Sequence, residues 1–202
     1  MKAIFLLLLL PFVLAGCAQI PAPQNIPWTS HQQQINELNE WDFTGKLALI
    51  TPKERHSLNI YWLQSGDDFH ISLTTFLGST VLDVKKTQFG TQIIDNNGDL
   101  FFGMDTEVLI NKLSGLIIPI DLLQQWIKGN PNDAIYQLNE NNQVLSLSGI
   151  DKNRANWIID YSDYKVTQGI YLPHKLQLKR DHLRLKFAIS KWQINHANMD
   201  SH

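Results

Sequence analysis

One cysteine, at position 17, is all that the 202 residues contain, so a fold stapled by internal disulfides is excluded. Charge is sparse as well: charged residues make up 18% and the formal net charge is −2, far from the basic surplus of a nucleic-acid binder. Long apolar runs are missing outside the extreme N-terminus, which argues against a bundle of membrane-spanning helices. The seven histidines (His31, His56, His70, His174, His182, His196 and His202) show no metal-ligand spacing. Neither a Gly-x-Ser-x-Gly nucleophile elbow nor a phosphate-cradling glycine loop occurs. These gaps argue against an enzyme and imply no cofactor and no metal. What is present is 44% hydrophobic residues in a length that suits one domain with a sizeable core.

The apolar run has an address-like form. Met1–Cys17 reads MKAIFLLLLLPFVLAGC, with Lys2 ahead of the apolar stretch Ala3–Ala15 and Gly16-Cys17 at its end. It is short for a bilayer span and has the shape of a secretory signal. Leu14-Ala15-Gly16-Cys17 resembles a bacterial lipoprotein signal, whose cysteine is acylated on sulfur and becomes the mature N-terminus. Residues 1–16 are then the signal, and 17–27 a lipidated Cys17 and tether. Ala18–Pro27 holds Pro21, Pro23 and Pro27 and little that packs; at about 3 Å per residue it would hold the domain within about 30 Å of the bilayer. Ala18, where a retention signal would place Asp, fits the outer membrane by the family-level sorting pattern.

Residues 28–195 read as a meander of short strands with a helical interruption. Ser30 and Gln33 form a candidate capping box for a helix over Trp28–Trp41, in which Trp28, Ile35, Leu38 and Trp41 share a face. From Phe43 the period is two: Phe43, Gly45, Leu47 and Leu49 alternate with Thr44, Lys46, Ala48 and Ile50. Leu58, Ile60 and Trp62 repeat the pattern, as do Phe69, Ile71 and Leu73 after a turn at Gly66-Asp67-Asp68. Asp105-Thr106-Glu107 caps a helix ended by Gly115, and Pro119 opens another that ends before Gly129 and Pro131. Strands resume at Ala134 and close with a hairpin about Asp181-His182; 196–202 is a polar tail. The expectation is mainly β (α+β): a strongly curled antiparallel meander of about eleven strands with three helices. A sheet this wide cannot be filled by its own side chains. Two readings of segment 105–129 stay open: a plug that completes the core, or a lid over a cavity for an apolar ligand.

An ordered set of short motifs resembles the LolB family of outer-membrane lipoprotein receptors. It runs from Cys17 through Trp41-x-Phe43-x-Gly45-Lys46-Leu47, Tyr61-Trp62-Leu63-Gln64 and Leu77-Gly78-Ser79-Thr80. It continues with Lys112-Leu113-Ser114-Gly115, Ile118-Pro119-Ile120, Gln125-Trp126-Ile127-Lys128-Gly129, Asn156-Trp157 and Trp192. The resemblance implies a half-barrel with an α-helical lid over a hydrophobic cavity. It implies a monomeric, non-enzymatic acceptor, lipid-anchored to the outer membrane and facing the periplasm. Such an acceptor takes acylated lipoproteins from the carrier LolA, shelters their acyl chains and inserts them into that membrane. A lipid-binding lipoprotein with a structural or envelope-assembly role is the competing expectation.

Under the resemblance, the cavity and lid fall to Leu47, Leu49, Ile60, Trp62, Ile71, Leu73, Leu109, Leu113, Leu123 and Trp126. Alternation says which of these share a face, but not which face is concave. The membrane-insertion loop falls to Phe76, Leu77 and Gly78, with Phe76 where many relatives carry proline. Taken alone, Thr75–Ser79 suits a Leu77 folded back beneath its own turn; the resemblance implies that it projects. Charge is uneven: Lys165, Lys175, Lys179, Arg180, Arg184, Lys186 and Lys191 face only Asp181 in their segment. That segment is either a solvated outer face or a surface for anionic headgroups or an acidic partner.

Overall fold

The computed structural model describes residues 26–195, so the signal, Cys17, most of the tether and the polar tail lie outside the described residues. The elements are α1 (Trp28–Glu37), β1 (Glu40–Ile50), β2 (Arg55–Ser65), β3 (Asp68–Thr74), β4 (Thr80–Thr87), β5 (Gly90–Asp95) and β6 (Leu100–Gly103). After them come α2 (Thr106–Ser114), α3 (Ile120–Trp126), β7 (Ile135–Leu138), β8 (Val144–Ile150), β9 (Asn156–Thr167), β10 (Ile170–Arg180) and β11 (Leu183–Ile194). The strands make one antiparallel sheet in the order β6-β5-β4-β3-β2-β1-β11-β10-β9-β8-β7. The first and last strands pair in its middle, and β6 and β7 are unpaired edges, so the barrel is open. The two helices of the interruption run between those edges.

The strand alternation resolves into an inner apolar and an outer polar face. One row crosses the sheet as Phe43, Trp62, Ile71, Val84, Ile93 and Phe101, each cross-strand from the next. A second row passes Leu47, Phe187, Leu176 and Tyr161. Trp41, Phe43, Trp62, Phe69 and Trp192 gather at one end of the inner face, with ring centroids 5.0 Å apart for Phe43–Trp192 and 6.1 Å for Trp62–Phe69. Such pairs contribute about 0.5–1.5 kcal/mol each beyond their burial.

The first helix is shorter than its sequence pattern. Its N-cap is Pro27 with no side-chain cap, and it ends at Glu37, so Ser30 and Gln33 form no capping box. Gln33 instead donates to Glu37 Oε1 (2.9 Å). Trp41 belongs to β1, where it is buried on the inner face. A tryptophan at helical spacing was drawn into the sheet because the aromatic cluster buries more of it than a solvent-facing last helical turn would. The second helix forms as its residues dictate: Asp105 Oδ1 accepts from Val108 N (3.0 Å), and Gly115 ends it.

Candidate functional site

One set of large apolar side chains from the strands converges on the inner face, and the helices α2 and α3 roof it, while Leu100, Phe102, Leu145 and Ile158 stay exposed. Leu47, Ile60, Trp62 and Ile71 are buried there, with Leu49 and Leu73 packed against them. From the roof, Leu109, Leu123 and Trp126 are buried in the same cluster and Leu113 packs against it. The ten residues assigned to cavity and lid are thus brought together in one apolar layer. The buried face of the sheet is the one that carries them. Ile118, Ile120 and Ile127 are buried beside them, so the roof is seated in the sheet.

Trp126 is the largest fully buried side chain of the roof, and the sheet makes room for it. Gly149 of β8 lies under its ring: a β-carbon there would come within 2.3 Å of Trp126 Cζ2. The Tyr161 hydroxyl donates to Trp126 O (2.7 Å), and burial pushes its pKa well above the ordinary range.

The roof is held by a small number of polar fastenings. At the α3 end, Trp62 Nε1 donates to Gln64 Oε1 (3.1 Å), and Gln64 Nε2 donates to Gln124 Oε1 (3.1 Å) and Gly66 O (2.7 Å). Asn130 Nδ2 donates to Asn36 Oδ1 (2.8 Å) and Gln125 Oε1 (2.9 Å). Lys128 is fully buried, donates to Leu38 O (2.8 Å) and has no carboxylate partner among the described residues. Burial alone pulls its pKa down to about 8. At the α2 end, Lys152 of the β8–β9 loop reaches across to Asp105 Oδ2 (2.8 Å) and Glu107 Oε2 (3.1 Å). The hydrogen bond from Lys152 lowers the Asp105 pKa, whereas burial raises that of Glu107.

Gln64, Gln125 and Lys128 stand inside motifs quoted from the sequence, yet nothing in their pattern marked them as fastenings. Lys152 and Gly149 carried no signal at all. Their roles depend on partners that are distant in sequence and brought together only by the tertiary fold.

The β3–β4 connection is built to present its tip. Gly78 N donates to Thr75 O (3.0 Å), Thr75 N to Ser79 O (2.8 Å) and Ser79 N to Thr75 Oγ1 (3.2 Å). Gly78 takes a φ of +88°, in the left-handed region that glycine enters without strain. From this braced turn Phe76 and Leu77 project with 84% and 87% of their surface exposed. Leu77 does not fold back beneath its turn.

On the outer face, the basic segment alternates as its sequence suggested. Leu176, Leu178, Leu185 and Phe187 are buried, while Lys175, Arg184 and Lys186 are exposed. A groove of about 510 Å³ runs over this face, lined among others by Lys46, Ala48, Lys175, Lys186 and Ala188. No described helix is long and apolar enough to cross a membrane.

Comparison with known proteins supplies the context for this geometry. Residues 39–192 match the family described as outer membrane lipoprotein LolB. The chain is 55% identical over 197 residues to the outer-membrane lipoprotein LolB of Psychromonas ingrahamii, with 96% of this chain and 97% of the relative covered. It is 35% identical over 183 residues to that of Tolumonas auensis, covering 90% and 92%. In fold it is similar to the crystal structure of a LolA superfamily protein from Nitrosomonas europaea, at a TM-score of 0.52 and 7% identity over 85% of this chain and 94% of that one.

Proposed function

The chain belongs to the LolB family of outer-membrane lipoproteins, and from that premise we propose that it is an acceptor that takes acylated lipoproteins from the periplasmic carrier LolA and delivers them to the outer membrane. The observation that carries this reading is the roofed sheet: a continuous apolar face covered by two short helices with few polar fastenings. When α2 and α3 lift, the side chains of Leu47, Leu49, Ile60, Trp62, Ile71 and Leu73 become the floor of an acyl-chain cavity. Leu109, Leu113, Leu123 and Trp126 become its lid.

The energetics favour such a device. At about 0.8 kcal/mol per buried methylene, a long acyl chain is worth on the order of 10 kcal/mol, and a lipoprotein crossing water would expose more than one. Passing chains from one apolar cavity to another avoids that barrier, so only the difference between two affinities has to drive transfer. No covalent step is involved.

In this reading Cys17 is the lipidated anchor, residues 17–27 the tether, and the remaining chain faces the periplasm as a monomer. Leu77, with Phe76 beside it and Gly78 holding the turn, enters the membrane during delivery. Burying a leucine tip in lipid contributes roughly 1.5–3 kcal/mol.

The test is transfer itself. A Cys17→Ala chain, free of its anchor, is expected to take an acylated lipoprotein from carrier in solution and to refuse the unacylated form. A folded chain that takes neither would leave the competing reading, a lipid-binding lipoprotein with a structural or envelope-assembly role. Leu77→Glu is expected to keep lipoprotein uptake and to slow delivery to vesicles by about tenfold or more. Loss of uptake as well would assign Leu77 to packing.

A further inference from the structure

We propose that the lysine-walled groove on the outer face of the sheet lies against the anionic phospholipid headgroups of the membrane that carries the chain, so that the domain rests on its side. The inference rests on the reading of Cys17 as the anchor.

Residue choice builds the groove. On β1, Lys46 and Ala48 alternate with inward side chains, and on β11 Lys186 and Ala188 do the same. Register places Ala188 between Lys46 and Lys175, and Lys186 between Ala48 and Gln177. Each alanine therefore leaves a gap of several methylenes that the flanking lysines wall.

Two of the three wall lysines, Lys46 and Lys186, have no carboxylate partner among the described residues, and the groove's one lining carboxylate, Asp160, is taken by Lys179. Asp163 is shared by Lys165 and Lys175, each at 3.5 Å, and Asp160 is held by Lys179. Lys46 meets only the Asn59 amide (3.3 Å), and Lys186 has no ion-pair partner among the described residues. The fit is to phosphate groups in an accessible plane, because all three wall lysines are exposed.

Chain geometry says why this face meets lipid. Asn142, in the β7–β8 turn, donates to Ile26 O (3.2 Å), which places the start of the domain at that end of the strands. The β3–β4 turn with Leu77 is at the opposite end, by the register running through β8, β9, β10, β11, β1, β2 and β3. A strand as long as β1 spans about 36 Å, whereas the stretch from Cys17 to Ile26 reaches about 30 Å at full extension. With the strands upright and Leu77 in the bilayer, the tether falls short. Tip and anchor share one membrane when the strands incline toward its plane, and a long side of the sheet then meets the headgroups. Lys46 belongs to the same construction, since Asn59, its partner, also donates to Thr75 O (2.9 Å) at the root of the Leu77 turn.

Lysine footprinting of the acylated full chain tests this, in vesicles of phosphatidylcholine alone and with about a quarter phosphatidylglycerol. One basic side chain at an anionic surface is worth about a fivefold gain in affinity. Lys46, Lys175 and Lys186 are therefore expected to acetylate about fivefold more slowly on the anionic vesicles, with Lys112 of α2 unchanged and the difference lost in high salt. Equal reactivity on both vesicles, or equal protection on both as a second copy or protein partner would give, overturns the proposal while the anchor stands. A chain that washes off either vesicle overturns the anchor at Cys17 and this proposal with it.

Discussion

A lysine buried without a counter-charge is the least expected residue of this core, and it sets a pH dependence. Lys128 donates to Leu38 O, tying the end of α3 to the chain entering β1. Its folded pKa is held near 8 by burial, below the ordinary 10.5 of the unfolded chain. Between those values the unfolded chain binds more protons, so stability rises with pH across that window. The expected gain from pH 7 to pH 9.5 is about 2 kcal/mol. Higher pH reverses the trend, because the buried Tyr161 and Tyr164 resist ionisation while their unfolded counterparts do not. Lys128→Met is expected to flatten the rise, and urea unfolding at pH 7, 8 and 9.5 reads the difference directly. A variant that keeps the full rise would move its source to another group. This buried position was not legible beforehand: Lys128 follows Ile127 and precedes Gly129, a place where a lysine at a helix end ordinarily reaches water.

Among the elements, α2 is the one whose attachment is most exposed to change. Its N-terminus is capped by Asp105, and that same carboxylate, with Glu107, is gripped by Lys152 from beyond the open edge of the sheet. Removing the cation leaves Glu107 buried and unpaired, a cost of about 1–3 kcal/mol. Lys152→Ala is accordingly expected to speed hydrogen exchange of the α2 amides by about tenfold, while β1, β2 and β11 keep their protection. Uniform acceleration over the sheet would mean that α2 and the strands open as one unit. The caps Asp105 and Gly115 were readable because capping depends on local chemistry, and the strands were readable because one face is apolar. The Ser30 capping box failed for a related reason. Local pattern competes with tertiary burial, and Trp41 was worth more to the aromatic cluster of the sheet than to a helical stripe. Lys152 could not be read at all, since its partners are brought to it by the curl of eleven strands.

For the whole molecule, one question decides whether the roof is a plug or a lid. The alternation of the strands told which side chains share a face, and the resemblance supplied a use for it, but the seated helices fit either role. Cargo distinguishes them. If the roof is a lid, acyl chains take the apolar surface that Trp126, Leu123 and Ile127 now cover, and uptake requires the helices to yield what they bury and the cargo to replace it. The exchange is near balance when the buried areas are similar, which suits a protein that must also let go. Tying roof to sheet removes that freedom without touching the apolar floor. Gln64 and Gln124 already meet at 3.1 Å. With Cys17→Ala in the background, Gln64→Cys and Gln124→Cys supply the chain's only thiols, within reach of a short bis-methanethiosulfonate linker that a reductant cleaves. The linked chain is expected to lose uptake of acylated lipoprotein, measured by displacement of a fluorescent apolar probe, and to regain it on cleavage. Each single-cysteine chain treated with the same reagent keeps uptake. A linked chain that binds cargo at full strength would mean that the helices never leave and that the acyl chains find their place elsewhere on the molecule.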